Sequence, residues 1–254
     1  MPPQISSNRV ALVTGGSRGI GAATAKLLAA RGYDICISYR TRKSAADAVL
    51  EAAHSCGVKA IAVQADISRE KDVEALFQAV DKQLGPLAAL VNNAGMLMPQ
   101  IRVNEMTAER INTILQTNVT GTLLCCREAI KRMSTTCGGR GGAIVNVSSG
   151  AARSGSPHEY IDYAASKGAV DTLTIGLSKE VAREGIRVNA VRPGFIKTEM
   201  HNDGGEPNRL QRLQPLIPLA RGGQPEEVAG AIAWLLSDEA SFTTGAFIDA
   251  TGGL

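Results

Sequence analysis

Little in this sequence invites nucleic acid, metal or membrane. No run of Lys or Arg exceeds two residues, and 27 Lys+Arg against 24 Asp+Glu leave a formal net charge of only +3. Such a balance gives nucleic-acid binding little support. The three histidines, His54, His158 and His201, are scattered without metal-ligand spacing, which argues against a metal site and metal-assisted hydrolysis. The cysteines (Cys36, Cys56, Cys125, Cys126, Cys137) are odd in number and form no C-x-x-C pair. They read as reduced, mostly buried thiols of a cytoplasmic protein. No apolar run reaches the ~18 residues of a membrane span, and Met1–Ser7 lacks an apolar signal core, so neither a span nor secretion is inferred. Aromatics are only 4% of the 254 residues while 44% are hydrophobic. The core must therefore come from small and aliphatic side chains, in quantity enough for an α/β domain.

What is present alternates. The apolar run Val10–Val13 ends in Thr14-Gly15-Gly16-Ser17-Arg18-Gly19-Ile20-Gly21, after which Ile20, Ala23, Leu27 and Leu28 make a helical stripe up to Gly32. Further strands are expected at Asp34–Tyr39, Ala60–Ala65, Ala88–Asn92, Ala143–Ser148, Arg187–Arg192 and Ala246–Asp249. Helices are expected from Ser44 to Gly57, from Ser68 to Leu84, from Thr107 to about Met133, over about 160–184, and from Pro225 to about Leu236. Strands and helices in turn, with short connections, imply one α/β domain over 1–254. Its sheet is doubly wound and mostly parallel, of about seven strands, with helices on both faces. The exception is the polar, Gly- and Pro-containing segment 197–224, expected to be an irregular substrate lid.

Within the helix expected over about 160–184, Tyr163 and Lys167 stand four residues apart. That spacing stacks two side chains on one face, their bases ~5–6 Å apart. A free phenol, with a pKa near ~10, carries protons poorly at neutral pH. A fixed ammonium beside it favours the phenolate and is expected to lower that value. Tyr160 is an internal control, since the residue four beyond it is Ala164. The glycine turn opens a helix directly after a strand, an arrangement in which backbone amides approach a pyrophosphate. Where dinucleotide folds usually place an acid on the ribose hydroxyls, this chain reads Ser38-Tyr39-Arg40-Thr41-Arg42. Arginines there suit a 2′-phosphate, with Arg18 as a third cation. NADP (NADPH) is the expected cofactor, with NAD possible.

Taken in order, Thr14–Gly21, Asp66-Ile67, Asn92-Asn93-Ala94-Gly95, Asn118, Ser148-Ser149, Tyr163-x-x-x-Lys167 and Arg192-Pro193-Gly194 with Thr198 resemble the short-chain dehydrogenase/reductase family. The similarity runs through nearly the whole chain, to Thr244-Gly245 and Gly252-Gly253. It is closest to bacterial glucose-type dehydrogenases and 3-oxoacyl carrier-protein reductases. The resemblance implies a Rossmann-like fold, a homotetramer, and metal-free hydride transfer between nicotinamide and a small-molecule carbonyl or secondary alcohol. It makes Tyr163 the general acid/base, Ser149 the hydrogen-bond partner of the reacting oxygen, and Lys167 the residue that tunes Tyr163 and holds the nicotinamide ribose. Asn118 would hold a water linking Lys167 to solvent. For the cofactor it implies Gly15, Ser17, Arg18, Gly19, Ile20 and Gly21 in the turn, and Tyr39, Arg40 and Thr41 at the second strand. Asp66 and Ile67 would face adenine, and Asn92, Ala94 and Gly95 its ribose. Ile196 and Thr198 would meet the carboxamide and phosphates, with Pro193 and Gly194 beside them.

Family spacing would put the catalytic serine at Gly150, so one residue seated in Arg153–Asp162 makes Ser149 the choice over Ser148. Two rival functions stand beside this one. A 3-oxoacyl carrier-protein reductase is matched by Arg140 but opposed by Glu184, which would repel an acidic carrier. A non-catalytic NADP-sensing regulator is opposed by the intact set Asn118, Ser149, Tyr163, Lys167, since a sensor needs no proton donor. Tyr163→Phe is expected to cut turnover by roughly 10²–10⁴ with NADPH binding nearly intact, and Tyr160→Phe to cost far less. Steady-state rates of both variants check this; a more damaging Tyr160→Phe would displace the assigned register.

Overall fold

The computed structural model describes residues 9–254; Met1–Ser7, read above for a signal core, lie outside the described residues. Seven strands form one sheet: β1 (Val10–Val13), β2 (Asp34–Tyr39), β3 (Ala60–Gln64), β4 (Leu87–Asn92), β5 (Gly142–Val147), β6 (Ile186–Pro193) and β7 (Phe247–Ala250). Their order is β3-β2-β1-β4-β5-β6-β7, and every pairing is parallel. Alternate residues of the central strands point to opposite faces, and both faces are apolar, as a sheet covered on two sides requires. Ala11 and Val13 join one core cluster with α1 (Gly19–Ala30), α2 (Lys43–His54) and α10 (Pro225–Leu236). Val10 and Leu12 join the other, against α3 (Glu70–Gln83), α5 (Gly121–Met133) and α7 (Ile161–Glu180). Cys36, Cys125 and Cys126 are buried, Cys56 and Cys137 exposed, and all are free. Among the described residues no helix is long and apolar enough to cross a membrane.

The structure revises three sequence expectations. The helix expected from Thr107 to Met133 is capped by Thr107, whose Oγ1 accepts from Arg110 N, but it is not uniform. It runs as α4 (Ala108–Leu115), a π-helical segment Gln116–Thr120, and α5. The wider turn carries Asn118, whose side chain bonds across to Met96 and Ser166; π-bulges of this kind often mark functional sites. The helix expected to reach 184 ends at Glu180 and finishes in a 3₁₀ turn, Ala182–Glu184, with Gly185 left-handed at φ +77°. The segment 197–224 is not irregular throughout. It contains α8 (Met200–Asp203), α9 (Arg209–Leu213) and a 3₁₀ turn at Gln214–Leu216, besides α6 (Ala151–Ser154) facing it. Helices of four or five residues are too short to show an apolar period.

A polar ladder ties the sheet to α7. Asn92 Nδ2 donates to Asn146 Oδ1 at 2.9 Å and to Cys126 Sγ at 3.2 Å, and Asn146 Nδ2 donates to Thr174 Oγ1 at 2.9 Å. All three polar side chains are buried. Asn146→Ala strands the Asn92 and Thr174 groups and is expected to cost about 1–3 kcal/mol. Urea unfolding measures it, and an unchanged midpoint would deny the ladder its structural role.

Candidate active site

Parallel strands bring all their C-terminal ends to one edge of the sheet, where ligands of such folds bind at the change of strand order. At the end of β1 the chain turns through Gly15, at φ +62°, where a Cβ would lie 3.0 Å from Ala94 Cα. The loop after β4 is sewn onto this turn. Thr14 Oγ1 accepts from Asn93 N and Ala94 N at 3.1 and 3.0 Å, and Asn93 Nδ2 donates to the carbonyls of Thr14 and Gly15. At Gly19, φ +52°, a Cβ would lie 3.1 Å from Thr198 Cγ2, so the start of the lid closes on the N-terminus of α1. Ser17 and Ile20 are half-buried in the same turn, as is Tyr39 at the end of β2, while Arg40 and Thr41 beyond it are exposed.

Several expected cofactor contacts are engaged elsewhere. The Arg18 guanidinium bonds to Asp203 and lies 3.6 Å from Glu199, both on the lid, because α8 brings two carboxylates over the glycine turn. The Asn92 side chain belongs to the core ladder, so Asn93, which the sequence did not single out, is the amide at the turn. The Ile67 side chain is 4% exposed and packs under Gly121, where a Cβ would lie 2.9 Å from Ile67 Cδ1. This side chain faces the core. Asp66 Oδ1 accepts from Ser68 N and Oγ at 3.0 and 2.7 Å.

Beside the turn lies a cavity of about 580 Å³, and the Tyr163, Lys167 and Ser149 side chains line it together. Gly95, Ile196 and Thr198 also border it, with Pro193 and Gly194 beneath. Helix α7 buries Tyr163 and Lys167 on one face, at 9% and 4% exposure. The start of that helix is pinned by a buried pair, Arg110 Nε to Asp162 Oδ2 at 2.7 Å, while Asp162 Oδ1 accepts from Tyr163 N. Lys167 Nζ donates to the Val147 carbonyl at 2.7 Å and stands 5.7 Å from the Tyr163 ring centroid.

The two serines separate clearly. Ser148 Oγ is committed to Asp171 at 2.6 Å, whose other oxygen holds Arg192. Ser149 borders the cavity together with Tyr163, and its Oγ accepts from Ala151 N at 3.1 Å. Asn118 gives its side chain to Met96 and Ser166, and its carbonyl accepts from Thr122 Oγ1.

Burial pushes the Tyr163 hydroxyl up from its ordinary value; the Ser149 hydrogen bond and then the charge of Arg209 pull it partly back. The expected lowering by Lys167 is not what the structure shows. Burial pushes Lys167 itself down to about 8, against the opposing charge of Asp171, and its ammonium is turned to Val147. Arg209 lies in the segment 197–224, which the sequence marked only as a polar lid. It lines the cavity with its guanidinium 4.5 Å from the Tyr160 ring centroid. Tyr160 in turn donates to the Gly204 carbonyl of the lid at 2.9 Å. No local pattern marks Arg209, because its side-chain neighbours Glu159, Tyr160 and Phe195 come from two other segments.

A tyrosine and a buried lysine on one helix, beside a glycine turn on a parallel sheet, define a nucleotide-dependent oxidoreductase class, and the chain belongs to the short-chain dehydrogenase/reductase family. Residues 15–254 match a family model described as Enoyl-(Acyl carrier protein) reductase. The oxidoreductase YgfF of Escherichia coli K12, itself named as uncharacterized, is 63% identical over 244 residues, covering 96% of this chain and 99% of that one. The 3-oxoacyl-[acyl-carrier-protein] reductase FabG of Staphylococcus aureus is 38% identical, covering 96% of this chain and 97% of that one. The crystal structure of a short-chain type dehydrogenase/reductase from Mycobacterium marinum has a TM-score of 0.89 at 32% identity, covering 97% and 95% of the two chains.

With Lys167 held near about 8, its ammonium is lost as pH rises through that value. Carbonyl reduction, which needs a protonated Tyr163 and a charged neighbour, is expected to fall above about pH 8 in kcat/KM. Lys167→Arg, charged to beyond pH ~12, is expected to move that limb upward while lowering the plateau. A limb that stays in place belongs to another group.

Proposed function

We propose that this protein is an NADP(H)-dependent oxidoreductase that moves hydride between nicotinamide and a small carbonyl or secondary alcohol, without a metal. The observation that carries it is the meeting of Tyr163, Ser149 and Lys167 in one cavity wall beside the glycine turn. The residues fit a dinucleotide. Gly15 and Gly19 take left-handed backbone, φ +62° and +52°, with Ala94 and Thr198 packed where a Cβ would lie, so the turn is open to glycine alone. Arg40 and Arg42 are exposed, and neither makes an ion pair among the described residues. Arg18 has a buried Nη1 without a hydrogen-bond acceptor.

The turn Gly15–Gly21 would hold the pyrophosphate, Arg40 and Arg18 the 2′-phosphate, Lys167 the nicotinamide ribose, and Ile196 and Thr198 the carboxamide side. Bound there, the cofactor supplies or accepts the hydride. Tyr163 gives its hydroxyl proton to the carbonyl oxygen in reduction and takes it back in oxidation. Ser149 donates to the same oxygen and holds it against Tyr163. Arg18 exchanges its lid carboxylates for phosphate, so cofactor binding loosens α8.

A second reading, reduction of a carrier-protein-linked 3-oxoacyl group, is favoured by the likeness to FabG. Arg140 is exposed as a docking residue would be, but half-exposed Glu184 comes beside its turn, where Gly142 N donates to the Gly185 carbonyl, and opposes an acidic partner. A free small substrate is the better reading. A homotetramer in the cytoplasm is also part of this proposal. Exposed Leu123, Ile161 and Ile175 on α5 and α7, and Phe242 ahead of β7, support burial against further copies of the chain.

Absorbance at 340 nm over a panel of free ketones, aldehydes and sugars, with acetoacetyl carrier protein alongside, tests the activity. NADPH is expected to bind more tightly than NADH, and Arg40→Asp to erode that preference roughly tenfold or more. Equal affinities in the unaltered protein would refute the NADP assignment, and a far higher kcat/KM for the carrier protein would refute the small substrate.

A further inference from the structure

The hydride reading leaves one cavity-lining group without work. Arg209 opens α9, and its side chain is 9% exposed. It is stacked 4.5 Å from the Tyr160 ring centroid and 5.4 Å from that of Phe195. Its Nη2 donates to Glu159 Oε2 at 2.5 Å. Its Nε is buried with no acceptor, and Nη1 makes no hydrogen bond. A guanidinium has five N–H donors in a fixed fork, so most of this one's capacity is unused. Buried donors left so are unfavourable unless something fills them.

The lid's own charges do not explain it. The other oxygen of Glu159 holds Arg212 at 2.8 Å, and Glu206 is shared by Arg212 and Gln100. Two acids balance two bases, so the lid folds neutral without any ligand. Of these four charged residues only Arg209 borders the cavity, and among the described residues no Asp or Glu borders it at all. Arg153 there is exposed and bonds Asp249 at 2.9 Å, the Lys167 ammonium is turned to Val147, and Arg209, paired with Glu159 through Nη2, keeps Nε and Nη1 unused. Leu97, Phe195 and Met200 make the wall nearby apolar. A dianionic phosphate would call for more than the remaining donors of one guanidinium already paired with Glu159. A short carbon chain ending in a single negative charge fits.

We propose that Arg209 is the anchor for a substrate carboxylate, and that the substrate pair is a short-chain oxo acid and its hydroxy acid. This rests on the oxidoreductase reading of the same cavity. The carboxylate takes the unused donors of Arg209 while Tyr163 and Ser149 hold the carbonyl oxygen. The oxo acid gains a hydride from NADPH at carbon and a proton from Tyr163 at oxygen, leaving hydroxy acid and NADP⁺ with the carboxylate unchanged. Because Arg209 rides on the lid and stacks on Tyr160, the charge that selects the substrate also seats the lid.

Two measurements test it. The first is kcat/KM with NADPH for short oxo acids against their methyl esters. The unaltered protein is expected to favour the acids by at least about tenfold. Arg209→Gln is expected to bring that ratio near one, mainly through KM, and Arg209→Lys to keep part of it. The second is calorimetric titration of the matching hydroxy acids into the protein–NADP⁺ complex, where Arg209→Gln is expected to weaken binding by a similar factor. NADP⁺ affinity and melting temperature of each variant report on folding. Should Arg209→Gln not fold, Arg209→Lys decides, since a lone ammonium must lower the ratio at least about threefold.

Acids and esters used equally, or a ratio that survives in the variants, overturns the anchor and leaves the oxidoreductase reading standing. Hydroxy acids bound through Arg209 with no carbonyl turned over keeps the anchor and overturns that reading instead.

Discussion

A lysine ammonium with 4% of its surface exposed is the constraint around which this site is arranged. Charge is disfavoured in such surroundings unless oxygen is supplied, and the neighbourhood supplies it sparingly: the Val147 carbonyl at 2.7 Å and the more distant charge of Asp171. The result is a cation that burial holds at about 8, able to lose its proton near the working range. Asp171 is itself held in place by Ser148 and Arg192, so of the two adjacent serines at the cavity only Ser149 has a hydroxyl not committed to an acid. The Asn92–Asn146–Thr174 ladder and the Arg110–Asp162 pair then fix α7 against the sheet at its middle and at its start. Tyr163 and Lys167 are thus placed by β4, β5, β6 and α4 as much as by their own helix.

The lid is tied to this body unevenly. On the glycine turn, Arg18 meets Asp203 and Glu199 with side chains 35–50% exposed, and such surface pairs contribute ~0–1 kcal/mol each. On the α7 side, Arg209 meets Glu159 with 9% and 23% exposure and stacks on two aromatic rings. The α8 end is therefore held more weakly than the α9 end, which is docked on Tyr160.

Much was legible in the chain order. The period-two and period-3.6 apolar patterns identified all seven strands within a residue or two, because a sheet buried on both faces leaves unbroken aliphatic runs. Tyr163 and Lys167 could be paired because a helix makes four-residue neighbours touch, whatever the rest of the fold does. The π segment carrying Asn118 was hidden, since one widened turn changes hydrogen bonding without changing the apolar count. So were the short lid helices, which are shorter than the period that would betray them.

What the sequence determined by itself was therefore the alternating α/β order, the glycine turn with arginines after β2, and the Tyr163–Lys167 face, each set by residues near one another in the chain. Only the tertiary structure decided that Ser148 is tied to Asp171, that Asn93 and not Asn92 serves the turn, that Arg18 rests on the lid, and that Arg209 reaches the cavity. Each of those outcomes depends on which distant segment supplies a hydrogen-bond acceptor or a countercharge. Contacts of that kind are made across the sheet edge by loops, and no local periodicity records them.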